Sequence, residues 1–228
     1  MKIATLLREM NMPTPDAFSH RFYIMSDYYQ MAIEEGFEMV AIMSGMDCEA
    51  ICRECDGLIV PGSAKDIDPK YYGGEPMNPS QAIDEYALDS KIIDIFIKQG
   101  KPIFGICGGH QDLNIYFGGD IKKIDYDPHQ DEKKYHEIEI CKDSFVYDVF
   151  ESECAFVNSY HRWAIGTLAP NLKVVARCKT DGVIEAVEDK ERHVYATQWH
   201  PEQSYRTGND IEKKFFRNFL QQCAKTKV

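Results

Sequence analysis

The feature that most constrains this chain is an abrupt change of pattern at residues 102–117. An apolar run over 102–106 passes through Gly105-Ile106-Cys107-Gly108-Gly109 into a helix-like stretch, 109–117, closed by Gly118-Gly119. Glycines two residues either side of a central side chain are what a strand-to-helix elbow needs, because the sharp turn leaves no room for neighbouring Cβ atoms. Such an elbow belongs at the end of a sheet strand, and it points to an α/β architecture.

The rest of the chain supports that reading. Strands are expected over 2–7, 37–43 and 57–60. They alternate with a helix over 19–36, whose Phe22, Met25, Tyr29 and Ile33 fall at helical spacing before Gly36, and a short helix near 47–54. A loop is expected over 61–80. A helix then starts at Asp84-Glu85, where acids suit the dipole, carries Leu88, Ile92, Ile95 and Phe96 on one face and ends at Gly100. In the second half, strands are expected over 136–141, 154–157, 172–178, 183–188 and 193–198. A final helix over 211–222 carries Ile211, Phe215, Phe216, Phe219 and Leu220. The expectation is a mostly parallel central sheet flanked by helices, with extra antiparallel strands in the second half, in one domain spanning 1–228.

Charge and cysteines narrow the partners. Lys plus Arg number 26 against 37 Asp plus Glu, a net charge of −11, and the basic pairs Lys122–Lys123 and Lys133–Lys134 sit among acids. Nucleic acid and anionic membrane are therefore poor partners. No run approaches the ~18 apolar residues of a membrane span. Arg8 and Glu9 interrupt the first apolar stretch, so it reads as a strand and not as a signal peptide. With eight cysteines and no secretion signal, reduced thiols in a cytoplasm are expected.

The elbow suggests chemistry. A cysteine at this turn projects above the carboxyl edge of the sheet, over a helix N-terminus that favours the thiolate, while the Gly108 N–H can donate to an oxyanion. On those five residues alone, Cys107 could equally be a small buried hydrophobe. A second segment, Thr197-Gln198-Trp199-His200-Pro201-Glu202, supplies an imidazole and a carboxylate two residues apart. Cys107, His200 and Glu202 then make a complete set of nucleophile, base and orienter.

GICGGHQ and QWHPE in this order resemble the class I glutamine amidotransferases. Segments 56–76, 100–120, 157–165 (VNSYHRWAI), 181–188 and 196–202 resemble, more narrowly, the gamma-glutamyl-gamma-aminobutyrate hydrolase group, beside the folate gamma-glutamyl hydrolases. The resemblance implies the flavodoxin-like fold of that family and a Cys107–His200–Glu202 triad. It implies an oxyanion hole from the backbone of Gly62 and Gly108, with the glutamyl moiety held by Gln111 and by Asn158, Ser159, Tyr160 and His161. It implies hydrolysis of gamma-glutamyl amides through a thioester on Cys107, with no cofactor and no metal. The expected partner is a small gamma-glutamyl substrate, and a homodimer is left open.

Three positions depart from the group: Gly108 where Arg is common, Arg162-Trp163 where His-Gln is common, and Ser63 where a second Gly is common. They leave the triad intact and put the leaving group in question. Two alternatives stay open: a glutaminase subunit delivering ammonia to a separate synthase, and a non-catalytic binding protein on the same fold. Cys48, Cys52 and Cys55 have a spacing that could hold a metal cluster, but i, i+4, i+7 is also one buried helix face. His20, His129, His136 and His193 lack paired ligand spacing and are expected to be ordinary surface or core histidines. Asp66 and Asp68 are expected in a loop turn before Pro69.

Overall fold

The computed structural model describes residues 1–13, 18–77, 84–124, 129 and 135–226. The end of the expected 61–80 loop, from residue 78, and the Lys133–Lys134 pair lie outside these. Five strands run parallel: β1 (Lys2–Leu6), β4 (Glu38–Ile42), β5 (Gly57–Val60), β6 (Ile103–Ile106) and β13 (Val194–Thr197). The sheet continues antiparallel through β12 (Ile184–Asp189), β11 (Lys173–Cys178), β8 (Tyr135–Ile140) and β9 (Cys154–Asn158). The nine-stranded order is β4-β1-β5-β6-β13-β12-β11-β8-β9.

The central strands are apolar throughout because both faces are covered. Alternation splits them between two cores. Ile3, Ile59, Phe104 and Ile106 meet Tyr28 and Met31 of α1 (Ser26–Glu35) and Phe215, Phe216 and Phe219 of α7 (Asp210–Lys225). Ala4, Leu58, Val60 and Ile103 meet α2 (Cys48–Glu54), α3 (Glu85–Lys98) and α4 (Gly108–Tyr116) on the other face. Cys48, Cys52 and Cys55 are buried in this second core, and burial pushes the Cys52 thiol up to about 12 and the Cys55 thiol up to about 11. They form the packed helix face and not a cluster of thiolate ligands. Two one-turn helices, α5 (Tyr147–Phe150) and α6 (Ser204–Thr207), close the first core. Among the described residues no helix is long and apolar enough to cross a membrane.

The strands expected from 57–60 onward form within one or two residues of their expected bounds. The helix expected over 19–36 is the main correction. Residues 18–23, rich in aromatic and polar side chains in alternation, make β3 (Phe18–Tyr23), which pairs with β2 (Arg8–Pro13) as an antiparallel ribbon. Helix begins only at Ser26, and its buried face carries Asp27, Tyr28, Met31 and Ala32. Tyr29 and Ile33 are 60% and 62% exposed. Ile211, likewise expected on the buried side of α7, is 51% exposed. A second ribbon, β7 (Ile121–Lys123) with β10 (Trp163–Ile165), was not expected from the sequence.

Candidate active site

The carboxyl ends of β1, β5, β6 and β13 converge, as ligand sites in open parallel sheets do. They deliver Arg8, the Pro61-Gly62-Ser63 loop, Cys107 and His200 to one cavity of about 420 Å³. Cys107 has φ 52° and ψ −99°, a conformation that costs free energy for any residue with a Cβ. The glycines around it permit this packing. A Cβ on Gly109 would lie 2.1 Å from the Val60 carbonyl oxygen, and one on Gly105 2.7 Å from the Gly109 carbonyl oxygen.

The sulfur sits at the N-terminus of α4, 3.8 Å from the Tyr160 carbonyl, and the Gln198 side-chain amide donates to it at 3.7 Å. His200 is held on both sides. Its Nδ1 shares a 2.7 Å hydrogen bond with Glu202 Oε1, and its backbone N–H and carbonyl are clamped at 2.9 Å each by the Asn158 amide. Burial disfavours charge on His200, but the Glu202 carboxylate and the Cys107 sulfur outweigh it and hold the imidazole well above its ordinary value of 6.5. With Nδ1 committed to Glu202, Nε2 has no conventional hydrogen-bond partner and is left for proton transfer. Gly62 and Gly108 line the cavity. The Gly62 N–H makes only a long, 3.4 Å contact to the Tyr28 hydroxyl, so it can turn to a better acceptor.

Of the five residues expected to hold substrate, Gln111, Tyr160 and His161 line the cavity. Asn158 and Ser159 are not among the lining residues. The Asn158 amide is spent on the His200 backbone, and the buried Ser159 hydroxyl turns to His129. Sequence reasoning missed Arg8. Its guanidinium is buried, donates to the Gly62 carbonyl at 3.1 Å, and also bonds the Pro61 carbonyl and Asp89. It anchors the loop that carries Gly62. The signal was a charged residue directly beyond the first apolar strand. Gln198, which bridges Cys107, His110 and Gln111, stood in a noted motif without a role.

Two of the three departures meet in space. A Cβ on Gly108 would lie 2.9 Å from Ser63 N and 3.4 Å from Ser63 Cβ, so a side chain at 108 would press on the backbone of the loop at residue 63. The third departure is at the cavity mouth, where Asp66 accepts from Arg162 Nη2 at 3.1 Å and from the Trp163 indole N–H at 2.9 Å. Asp68 caps the turn at Pro69–Tyr72, as expected of a loop aspartate. His129, His136 and His161 are not separate histidines: with Glu185 they form one buried cluster behind the 159–161 segment.

Solved structures agree with this arrangement in fold. A glutamine amidotransferase from Thermotoga maritima superposes with a TM-score of 0.66 at 11% identity, over 100% of this chain and 98% of that one. Protein NtpR of Enterococcus hirae is 31% identical over 81% of this chain and 82% of its own length. The gamma-glutamyl-gamma-aminobutyrate hydrolase PuuD of Escherichia coli K12 is 29% identical over 77% and 74%. The family model of peptidase C26 matches residues 4–202, a span that runs from β1 through the elbow to Glu202, and the chain belongs to that family.

Proposed function

We propose that the protein hydrolyses gamma-glutamyl amide bonds. The observation that carries this is the strained Cys107 elbow facing a His200 whose other nitrogen is fixed by Glu202. In this reaction the Cys107 sulfur attacks the side-chain carbonyl, and the oxyanion is received by the N–H groups of Gly62 and Gly108. The C–N bond breaks as His200 gives its proton to the leaving amine. Water then attacks the thioester, losing its proton to His200, and glutamate leaves with the thiol restored. Gln111, Tyr160 and His161 form the glutamyl side of the site. The hydrolase among the relatives supports this substrate class.

The amine side is the mouth built by Asp66, Arg162 and Trp163. The Arg162 side chain is 56% exposed, and its pairing with Asp66 is of the kind worth only ~0–1 kcal/mol. A substrate carboxylate can therefore take the guanidinium over at little cost, which fits an amine with a distal carboxylate such as gamma-aminobutyrate. The test compares kcat/KM for glutamine and gamma-glutamyl-gamma-aminobutyrate in wild type and Arg162→Ala. The larger amide should be the better substrate, and Arg162→Ala should weaken it by less than about tenfold through KM, leaving glutamine unchanged. Glutamine as the preferred substrate, indifferent to Arg162, would favour a glutaminase subunit instead.

A further inference from the structure

Glu185, on β12, is fully buried, and three imidazoles surround one of its oxygens. His136 Nε2 lies 3.1 Å from Oε1, His129 Nδ1 3.7 Å and His161 Nε2 3.9 Å. The ligand atoms of His129, His136 and Glu185 all lie within 4.8 Å of one another. Neither Glu185 oxygen and neither His136 nitrogen makes a well-aligned hydrogen bond, and His161 Nε2 makes none.

The outer contacts set the tautomers. The His161 Nδ1–H donates to the Trp163 carbonyl at 3.0 Å, which leaves Nε2 as a bare lone pair. His129 Nε2 faces the Asp181 carboxylate at 2.9 Å and so keeps its proton there, which leaves Nδ1 as the lone pair turned toward Glu185 and the Ser159 hydroxyl. The Glu185 oxygens and the His136 nitrogens are gathered in a buried place without well-aligned hydrogen bonds, and a cation seated among them would relieve that cost. A carboxylate or backbone carbonyl behind a histidine is also the usual outer partner of a metal-ligating imidazole.

We infer that His129, His136 and Glu185 form a binding site for one divalent transition metal ion of zinc-like preference. In a tetrahedral site with bonds of about 2.0–2.2 Å, neighbouring ligand atoms stand about 3.4 Å apart, and the separations from Glu185 Oε1 bracket that value. The donor set, imidazole nitrogens with one carboxylate oxygen, suits zinc, cobalt or nickel over calcium or magnesium. A second set, His129 with Cys178 and Asp181, is less suited, because burial pushes the Cys178 thiol up to about 11. The site adjoins the proposed glutamyl side through His161 and revises the expectation that the protein uses no metal. It lies directly under the cavity wall: the His161 N–H donates to the His129 carbonyl at 2.6 Å, so a metal here would brace the segment that carries Tyr160.

The test strips the full-length protein with chelator and titrates it with zinc and with cobalt. One equivalent should bind and raise Tm. The cobalt form should show the visible bands of a four-coordinate nitrogen–oxygen site without thiolate charge transfer. His136→Gln and Glu185→Gln should each lower affinity by about a hundredfold or more, and Asp181→Asn, behind the ligand, by about tenfold. Cys107→Ser and Cys178→Ser should leave binding unchanged. Unchanged Tm with no cobalt bands would mean that a proton shared with His136 neutralises Glu185, and would overturn the inference. Thiolate bands, or binding lost in either serine variant, would overturn it by placing the metal elsewhere. If the Glu185 or His136 variants fail to fold, the wild-type cobalt spectrum still decides.

Discussion

Replacing Arg8 by Met tests whether a buried cation, and not the loop's own sequence, holds Gly62 in place. Arg8 is 2% exposed and carries Asp89, with Glu85 at 3.7 Å and Asp112 at 3.8 Å, and it donates to the carbonyls of Pro61 and Gly62. Methionine keeps the volume of the stem but leaves buried carboxylates without a cation. Removing one partner of such a network costs about 3–5 kcal/mol. Burial, then the Asp89 charge, already holds Asp112 well above its ordinary value. A carboxyl whose folded pKa is raised binds its proton more tightly folded than unfolded, so its protonated form favours folding as pH falls. The deficit of Arg8→Met should therefore be largest at neutral pH and shrink in acid. Urea unfolding of wild type and variant at pH 7 and pH 5, at constant m, reads this directly. The loosened Gly62 donor should also cost kcat about 10²–10³-fold. A deficit below about 1 kcal/mol at pH 7, or one that does not change with pH, would refute the assignment of Arg8 as the anchor.

Glu202→Gln should lower kcat on the order of 10⁴-fold by losing the imidazole's orienting partner. It should also move the basic limb of the kcat/KM profile to lower pH, because His200 owes its raised pKa to Glu202 and Cys107 against burial. The stability contributed by charged His200 is present below pH 6.5 and is lost as pH rises through the folded value, so the wild-type advantage over this variant should vanish in alkali. Gly108→Arg should reduce activity by pushing back the loop backbone at residue 63, and Ser63→Gly in the same chain, which leaves that backbone nitrogen in place, should restore little of it; full rescue in the double variant would contradict the backbone clash. Glu212 is buried beneath Glu202 and pushed up to about 8, so its burial penalty is absent below pH 4.5, grows as pH rises and is complete above about 8. Glu212→Gln should match wild-type stability near pH 4.5 and exceed it by about 3 kcal/mol at pH 7, read by denaturant unfolding.

The elbow was legible because its requirement is local: glycines at fixed offsets around Cys107 and an apolar run before it. His200 and Glu202 were legible for the same reason, standing two apart at the end of a strand. The resemblance covered residues 56–202 best, and there the strands fell close to their expected bounds. Residues 18–23 were misread because Phe22, Met25, Tyr29 and Ile33 happen to recur at helical spacing, while the pairing of β3 with β2 is a tertiary event that periodicity does not report. Asn158 and Ser159 stand apart from the cavity for a related reason. A motif fixes order along the chain, but side-chain direction is set by what lies behind it, here the His200 backbone and His129. The histidine cluster was invisible because His129, His136, His161 and Glu185 come from separate segments brought together only by the sheet. Arg8 shows the opposite case: it was plain in the sequence, but its partners were distant in the chain.

The central claim is a glutamyl thioester on Cys107 formed from a gamma-glutamyl amide. The most direct measurement is intact and peptide mass analysis of the protein quenched in acid during turnover of gamma-glutamyl-gamma-aminobutyrate. The expected result is a glutamyl adduct confined to the peptide containing Cys107, with glutamate released in step and no adduct or release in Cys107→Ala. Glutamate release by Cys107→Ala at the wild-type rate, or an adduct on any other residue, would contradict it.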